Sequence, residues 1–237
     1  MIRSLSIFFP CYNDKGTVNK LIDDSIATVS QLGIDDYEII VIDDVSTDGA
    51  RELLRSLSGH VPRLKVIFHD KNYGYGRVLK SGFAIASKEW VFYTDGDAQY
   101  DIKELTSLAA AAAAGVDWVN GYKIKRQDTL KRIIMGKIYK WVTKAIFFIK
   151  IKDVECNFRL IRRAKMNGLT LTNDSGSVCV ELVKKLQMVK AVTREVPVHH
   201  YARIYGHSQF FTIKRVMVML VTLSQLWWRL VILRQLN

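Results

Sequence analysis

Five short apolar runs rich in β-branched and aromatic residues recur along the first half of the chain. They are "LSIFFP" (5–10), "YEIIVID" (37–43), "LKVIFH" (64–69), "WVFYTD" (90–95) and "VDWVNGY" (116–122). Runs of this length with little alternation belong to strands buried on both faces, and the longer helical patterns between them have the length of crossover connections. This rhythm restricts the chain to an α/β fold with a mainly parallel sheet covered by helices on both sides. Helices are expected over 15–32, 47–58, 74–87 and 101–114, the last carrying "LAAAAAAG", whose alanines favour helix and whose Gly115 suits its end.

In open sheets of this kind ligands bind beyond the carboxyl ends of the strands. Three polar clusters fall there: "PCYND" after the first strand, "DDVSTDG" after the second and "TDGDAQ" after the fourth. Each has a plain structural alternative. Tyr12 could pack, Asp48 could be a solvated turn residue, and Ser46 or Thr47 could cap the next helix. Their coincidence at one sheet edge favours a site. Asp95 and Asp97 stand one residue apart, where like charges raise each other's pKa unless something positive lies between them. With Gln99 they offer hard oxygen ligands suited to Mg²⁺ or Mn²⁺ held jointly with substrate phosphates. No G-x-x-x-x-G-K-[ST] occurs, and "NYGYGRVLKSG" (72–82) lacks the G-x-G-x-x-G spacing of a dinucleotide fingerprint.

Charge divides the chain. Residues 1–121 hold 12 basic and 17 acidic residues, whereas 122–237 hold 23 basic and 6 acidic, within an overall net charge of +12. An acidic half suits a metal; a basic half suits phosphates on nucleic acid, anionic lipid or a phosphorylated substrate. The basic residues fall on amphipathic patterns rather than among exposed aromatics of a sheet, which favours an anionic membrane surface over nucleic acid. Residues 131–152 place Lys137, Lys140 and Lys144 on one helical stripe. Residues 214–233 carry Arg215, Thr222, Gln225 and Arg229 along one face, with Trp227 and Trp228 suited to the headgroup level. That pattern reads as a helix lying in the interface with its polar stripe in water, a core or dimer-interface helix (a homo-oligomer) being the alternative. Three widely spaced cysteines, Cys11, Cys156 and Cys179, suggest neither disulfides nor zinc, and a reducing compartment is expected. The start of the chain lacks the features of a secretory signal. One domain over 1–210, with 1–121 as its nucleotide and metal half and 122–210 as its acceptor half, followed by an amphipathic helix over 211–237, is the expected organisation. "VPVHH" is expected to end a strand, with no chemistry for His199, His200 or His207.

The ordered set "FFPCYND", "IIVIDDVSTDG", "NYGYGRVLKSGFAIASKEWVFYTDGDAQY", "DVECNFRLIRR" and "REVPVHHYARIYGHSQF" resembles the family 2 glycosyltransferases of GT-A fold. More narrowly it is similar to the dolichyl-phosphate mannose synthase and bacterial polyprenyl-phosphate glycosyltransferase branch, over roughly residues 4–210. The resemblance implies that Pro10, Tyr12 and Asp14 line the base and ribose of a nucleoside diphosphate sugar, that Asp44 contacts the base, and that Asp95, Asp97 and Gln99 hold the cation bridging the donor's two phosphates. It further implies that Lys123, Arg126 and Arg132 meet the acceptor phosphate, with Arg159 and the Arg203–Ser208 segment. Three positions depart from the family pattern: Asp14 where Glu is usual, Val45 where Gly is usual, and Gln209 where Lys is common. A β-branched residue tolerates positive φ poorly, so Val45 narrows the choices in its turn.

The activity so implied is a metal-dependent, inverting transfer from GDP-mannose or a UDP-sugar to a dolichyl or undecaprenyl phosphate, at the cytoplasmic face of the membrane by peripheral association. Asp97, Arg132 and Asp153 carry the expected chemistry, Asp153 as the best base, with Glu181 behind it; an ion pair with Arg159 or a neighbouring lysine is the alternative role for Asp153. Two other readings stand beside this one: a family 2 enzyme acting on a saccharide or other hydroxyl acceptor in cell-envelope polysaccharide synthesis, and a membrane-surface or nucleic-acid binding module without catalysis.

Overall fold

The computed structural model describes residues 2–126, 130–206 and 213–236; the side chains at 125–126, 130–132, 134–135 and 213–217 also lie outside the description. Seven strands form one sheet in the order β3-β2-β1-β4-β6-β5-β7. β1 (Ser4–Cys11), β2 (Asp36–Asp43), β3 (Leu64–Phe68) and β4 (Trp90–Tyr93) are parallel neighbours, and β1, β2 and β4 are buried along nearly their whole length. β6 (Arg159–Arg162) runs antiparallel between β4 and β5 (Trp118–Arg126), and β7 (Thr193–His200) pairs parallel with β5. The mainly parallel sheet matches the sequence expectation.

That single reversal positions the site. Because β6 alone is antiparallel, the segment entering it, residues 153–158, arrives at the same edge as the carboxyl ends of β1, β2, β4, β5 and β7. The strand order reverses between β1 and β4, the place where open α/β sheets leave a crevice.

Helices α1 (Lys15–Gln31), α2 (Ala50–His60), α3 (Tyr75–Ile85) and α4 (Leu105–Ala111) connect the first five strands, and α5 (Leu130–Phe147), α6 (Val178–Met188) and α7 (Ile213–Trp227) follow. Two apolar clusters fill the two faces of the sheet, one with Leu21, Ile22, Leu54 and Leu105 from α1, α2 and α4, the other with Val78, Leu79, Phe147, Leu182 and Leu186 from α3, α5 and α6. Two helices differ from expectation. α2 begins at Ala50 rather than 47 because Ser46 and Thr47 are engaged with the β1 loop; Gly49 stands at its N-cap with φ 89°, and Asp48 just before it accepts from Ala50 N at 3.0 Å. α4 is shorter than 101–114: a 3₁₀ turn (Ile102–Glu104) precedes it, and it ends at Ala111 before Gly115 turns with φ +81° toward β5.

The C-terminal segment corrects one expectation. Leu226 and Leu230 are buried against the core, and Thr222 and Arg229 share that side of the helix, three or four residues away. Thr222 therefore meets Ser177 at 3.0 Å, and Arg229 donates to Thr172 Oγ1 at 2.9 Å, so these two members of the stripe face the protein. Val218, Leu220, Val221, Trp228, Ile232 and Leu233 are exposed instead, while Trp227 packs half-buried on the core. A π-helical turn, Trp228–Ile232, continues α7, and no helix among the described residues is long and apolar enough to cross a membrane.

Candidate active site at the carboxyl edge of the sheet

The β4 loop meets the β1 loop backbone to backbone. A Cβ at Gly96 would lie 1.9 Å from the Pro10 carbonyl oxygen, so only glycine fits between Asp95 and Asp97. Thr17, in the first turn of α1, pins the contact by donating to both Gly96 O at 2.8 Å and Asp14 O at 3.1 Å. The β1 and β2 loops are joined in turn: Asn13 N donates to Ser46 Oγ at 3.0 Å, Thr47 N to Asn13 Oδ1 at 2.7 Å, and Lys15 N to Asp48 Oδ2 at 2.9 Å. Asp48 is thus a structural acceptor rather than a solvated turn residue. Three residues in these loops take the left-handed conformation without being glycine: Asn13 (φ 58°), Val45 (φ 67°) and Ala98 (φ 54°). Such strain collects where the surroundings over-determine the backbone.

Asp14, Asp95 and Asp97 converge on this crevice. Burial pushes the Asp95 carboxyl up, the neighbouring Asp97 charge adds to it, and hydrogen bonds from Tyr75 and Asn157 only partly offset them, leaving it at about 6. Asp14 also stands at about 6, raised by burial and by Asp97 against the help of the Tyr12 amide and Arg203. Arg203 donates to Asp97 Oδ2 and lies 3.8 Å from Asp14 Oδ1, bringing a cation from the segment after β7 into the acidic cluster. Gln99 is held by Tyr201: its amide Nε2 donates to Tyr201 O at 2.8 Å, and Tyr201 N returns a bond to Gln99 O.

Asp44 is nearly buried, and its carboxylate accepts from His69 Nδ1 at 2.7 Å, Tyr73 N at 3.1 Å and Gly74 N at 2.8 Å. Its first structural role is to shape the 69–74 loop between β3 and α3.

A cavity of about 300 Å³ opens beside β5 and α5. Lys123, Lys137 and Lys140 line it with Asp153, Ile124, Ile133 and Gly136. A bulge between Lys123 and Lys125 leaves Ile124 out of the ladder, half-exposed at the cavity wall. Burial raises the Asp153 carboxyl, but the ammoniums of Lys123 and Lys140 and the amides of Lys123 and Glu155 outweigh it and hold it below the ordinary range. Lys123 also steadies Asp95, which links this cavity to the acidic crevice electrostatically.

The sequence-based site residues divide accordingly. Pro10, Tyr12, Asp14, Asp95, Asp97, Gln99 and Arg203 are brought together at one crevice, and Lys123 and Asp153 at the neighbouring cavity. Arg159 is a correction. It is fully buried, donating to Asn120 Oδ1 at 2.8 Å, Val154 O at 2.6 Å and Tyr93 Oη at 2.5 Å, so its guanidinium is used up inside the core and has no face for an acceptor phosphate. Nor does it pair with Asp153. Glu181 is likewise buried and tied to Lys185 and the 172–173 amides, away from base chemistry. The side chains of Arg126 and Arg132 and all of Ser208 and Gln209 lie outside the described residues. Sequence reasoning saw Lys137 and Lys140 only as a helical stripe, and missed Tyr75 and Asn157 altogether.

A family model for "Glycosyl transferase family 2" matches residues 6–169. The chain belongs to this family. Among curated proteins, the undecaprenyl-phosphate 4-deoxy-4-formamido-L-arabinose transferases of Salmonella paratyphi A and Salmonella dublin are each 27% identical over 219 residues, 92% of this chain. The chain spans 66% of the length of these relatives. Among solved structures, glucosyl-3-phosphoglycerate synthase from Mycobacterium tuberculosis with Mn²⁺, UDP and glucosyl-3-phosphoglycerate superposes with a TM-score of 0.70 at 16% identity, covering 96% of this chain and 79% of that one. The same enzyme with Mg²⁺ and UDP gives a TM-score of 0.67 at 14% identity over 96% and 79% of the two chains. The family 2 chain thus has the GT-A fold.

Proposed function

We propose that this family 2 chain moves a sugar from a nucleoside diphosphate sugar to a polyprenyl phosphate at a membrane surface, with inversion at the anomeric carbon. The observation that carries the proposal is the pairing of the Asp14–Asp95–Asp97 crevice with the lysine-lined cavity beside it, one suited to a metal-bound diphosphate and the other to a lipid phosphate. The likeness to undecaprenyl-phosphate sugar transferases over 92% of the chain supports that class of acceptor.

Mg²⁺ or Mn²⁺ fits the residues present. Two carboxyls held at about 6 by burial and by Asp97 carry an electrostatic penalty that a divalent cation would relieve. Among the described residues no group of three His, Cys, Asp or Glu is gathered for a metal, so Asp95, Asp97 and the Gln99 side-chain oxygen would share it with phosphate oxygens and water. Such a cation supplies charge stabilisation to the leaving diphosphate. Arg203 adds a second positive charge at the same place. Lys123, Lys137 and Lys140 bind and orient the acceptor phosphate. Asp153, held ionised and weakly basic between lysines, positions them instead of removing a proton. An acceptor phosphate is already an anionic nucleophile, and this arrangement favours it over a hydroxyl acceptor, which would need a stronger base. Asp44 tunes recognition of the donor base through the 69–74 loop.

The lipid would be met by exposed apolar side chains on basic helices. Ile138, Trp141 and Phe148 are 59%, 73% and 66% exposed on and just after α5, and Trp228 is 54% exposed beyond α7. Peripheral contact of this kind draws on apolar burial and on attraction of lysines to anionic lipid. Incubating the protein with undecaprenyl phosphate, Mn²⁺ and a panel of UDP- and GDP-sugars, with mass spectrometry of the lipid fraction, tests the reading. A glycosyl phospholipid from one donor is expected; transfer only to a saccharide hydroxyl would overturn the choice of acceptor.

A further inference from the structure

Building on the reading of the Asp95–Asp97 crevice as the cation and diphosphate site, we propose that Tyr75 and Asn157 are positioning residues that clamp the Asp95 carboxylate toward a divalent cation, with Cys179 setting the face of the Asn157 amide that Asp95 meets. Four separate elements converge to build this clamp. Tyr75, the first residue of α3, donates its hydroxyl to Asp95 Oδ1 at 2.6 Å. Asn157, just before β6, donates its amide to Oδ1 at 3.2 Å and Oδ2 at 3.3 Å. Cys179, at the start of α6, donates its thiol to Asn157 Oδ1 at 3.0 Å.

The polarity of the chain of bonds is determined by chemistry. A phenol facing a carboxylate at 2.6 Å can only donate, and a thiol 3.0 Å from an amide oxygen donates to it. With the thiol on its carbonyl, the Asn157 amide must turn its NH₂ toward Asp95; the opposite turn would set an oxygen against a carboxylate. Oδ1 then takes two donors, while Oδ2 receives only the longer amide contact and keeps lone pairs for an external cation. Tyr75 is itself held in place. Gly76 N donates to Asp174 O at 2.9 Å, and a Cβ at Gly76 would lie 2.3 Å from Asn173 O, so the 173–174 backbone lies directly against the start of α3.

Outer hydrogen bonds to a ligating group fix its orientation before the metal arrives, and losing one typically lowers metal affinity about 10-fold to 100-fold. The test is Mn²⁺ binding by the full chain in the presence of UDP and, separately, of GDP, read from the electron paramagnetic resonance of free Mn²⁺. Tyr75→Phe and Asn157→Leu are each expected to weaken Mn²⁺ about 10-fold, with metal-free nucleotide affinity nearly unchanged and the folded state retained at a somewhat lower melting temperature. Cys179→Ser, which restores a donor, should keep the parent affinity, whereas Cys179→Ala should lose several-fold. Should Asn157→Leu fail to fold, Tyr75→Phe and the Cys179 pair still decide the matter. Folded variants that bind Mn²⁺ like the parent, or that weaken metal-free nucleotide to the same extent as Mn²⁺, overturn the clamp while leaving the site reading intact. A parent protein that binds no Mn²⁺ with either nucleotide overturns both.

Discussion

Carboxylates at the two ends of the sheet are treated in opposite ways. At the end where the strands begin, Glu38 of β2 is nearly buried and saturated: Ser6 donates to it at 2.6 Å, Ser87 at 2.7 and 2.9 Å, and Lys65 pairs at 2.6 Å. Burial alone would raise its carboxyl, but Lys65, Ser6 and Ser87 outweigh it and hold it at about 2. At the end where the strands finish, Asp14 and Asp95 stand at about 6, raised by burial and by Asp97. One end uses its charge to lock β1, β2, β3 and the entry to β4 together. The other leaves two carboxyls raised in spite of Tyr75, Asn157 and Arg203, the direction of shift expected of a binding site. A buried carboxylate by itself therefore says little about function; its direction of shift and its partners say much more.

Substitutions can break this contrast. Asp97→Ala should reduce sugar transfer by about 100-fold or more, because charge on the leaving diphosphate loses its compensation. Asp97→Asn trades the repulsion of Asp14 and Asp95 against the ion pair with Arg203, so its melting temperature should stay near the parent's while transfer is lost. Near-normal turnover at saturating Mn²⁺ would sink the site assignment. Glu38→Gln should do the reverse, costing roughly 2–3 kcal/mol through a buried network left partly unpaired, with kcat within about twofold. A Glu38→Gln protein as stable as the parent would show that the saturated end is no lock.

The sequence exposes the first four strands and α1 to within one or two residues of their ends, because doubly buried parallel strands leave unbroken apolar runs and the crossovers leave amphipathic ones. β6 was not legible: "RLIR" begins with an arginine that is buried only because Asn120 and Tyr93, far away in the chain, receive it. Arg159 was misplaced for the same reason. Asp95, Asp97 and Gln99 were legible because their spacing is local, whereas the contact of Tyr75 with Asp95 spans 20 residues and that of Asn157 spans 62. No local pattern announces such partners. Of the α7 stripe, Thr222 and Arg229 turn toward the protein while Gln225 stays exposed, since periodicity groups side chains without saying which of them meet the core.

A pH titration of stability sharpens the comparison. The folded state holds protons on Asp14 and Asp95 up to about 6, while an unfolded aspartate releases its proton near 3.8, so between these values the native state binds more protons. The contribution of this pair to stability therefore falls as pH rises from about 4 to 6 in metal-free protein. Glu38 behaves oppositely: its contribution is present above 4.5 and is lost as pH falls toward 2. The difference in melting temperature between Asp95→Asn and the parent should widen in favour of the variant as pH rises from about 4 to 6. A difference that is flat, or that narrows, would contradict the raised carboxyl. Because Mn²⁺ must displace these protons, its affinity in the presence of nucleotide should also rise across the same window.

The smallest effect expected concerns Val45, which sits at φ 67° in the turn after β2. A β-branched side chain in the left-handed region costs on the order of 1–3 kcal/mol. The turn keeps this conformation because Val45 N and Ser46 N both donate to Asp43, and Ser46 in turn receives Asn13 N, so the β1 and β2 loops hold it from two sides. Val45→Gly removes the strain, while glycine adds freedom to the unfolded chain worth about 0.5–1 kcal/mol in the other direction. The net expectation is a gain of about 1 kcal/mol, visible as a rise of a few degrees in melting temperature. Ala98→Gly, with a smaller side chain at φ 54°, should gain less. If the strain belongs to the site rather than to the fold, the Val45→Gly gain should come with nucleotide affinity no better than the parent's, because the loop is already held where it is needed. A Val45→Gly protein that melts lower than the parent would show instead that the half-buried Val45 side chain contributes more by packing than its backbone loses.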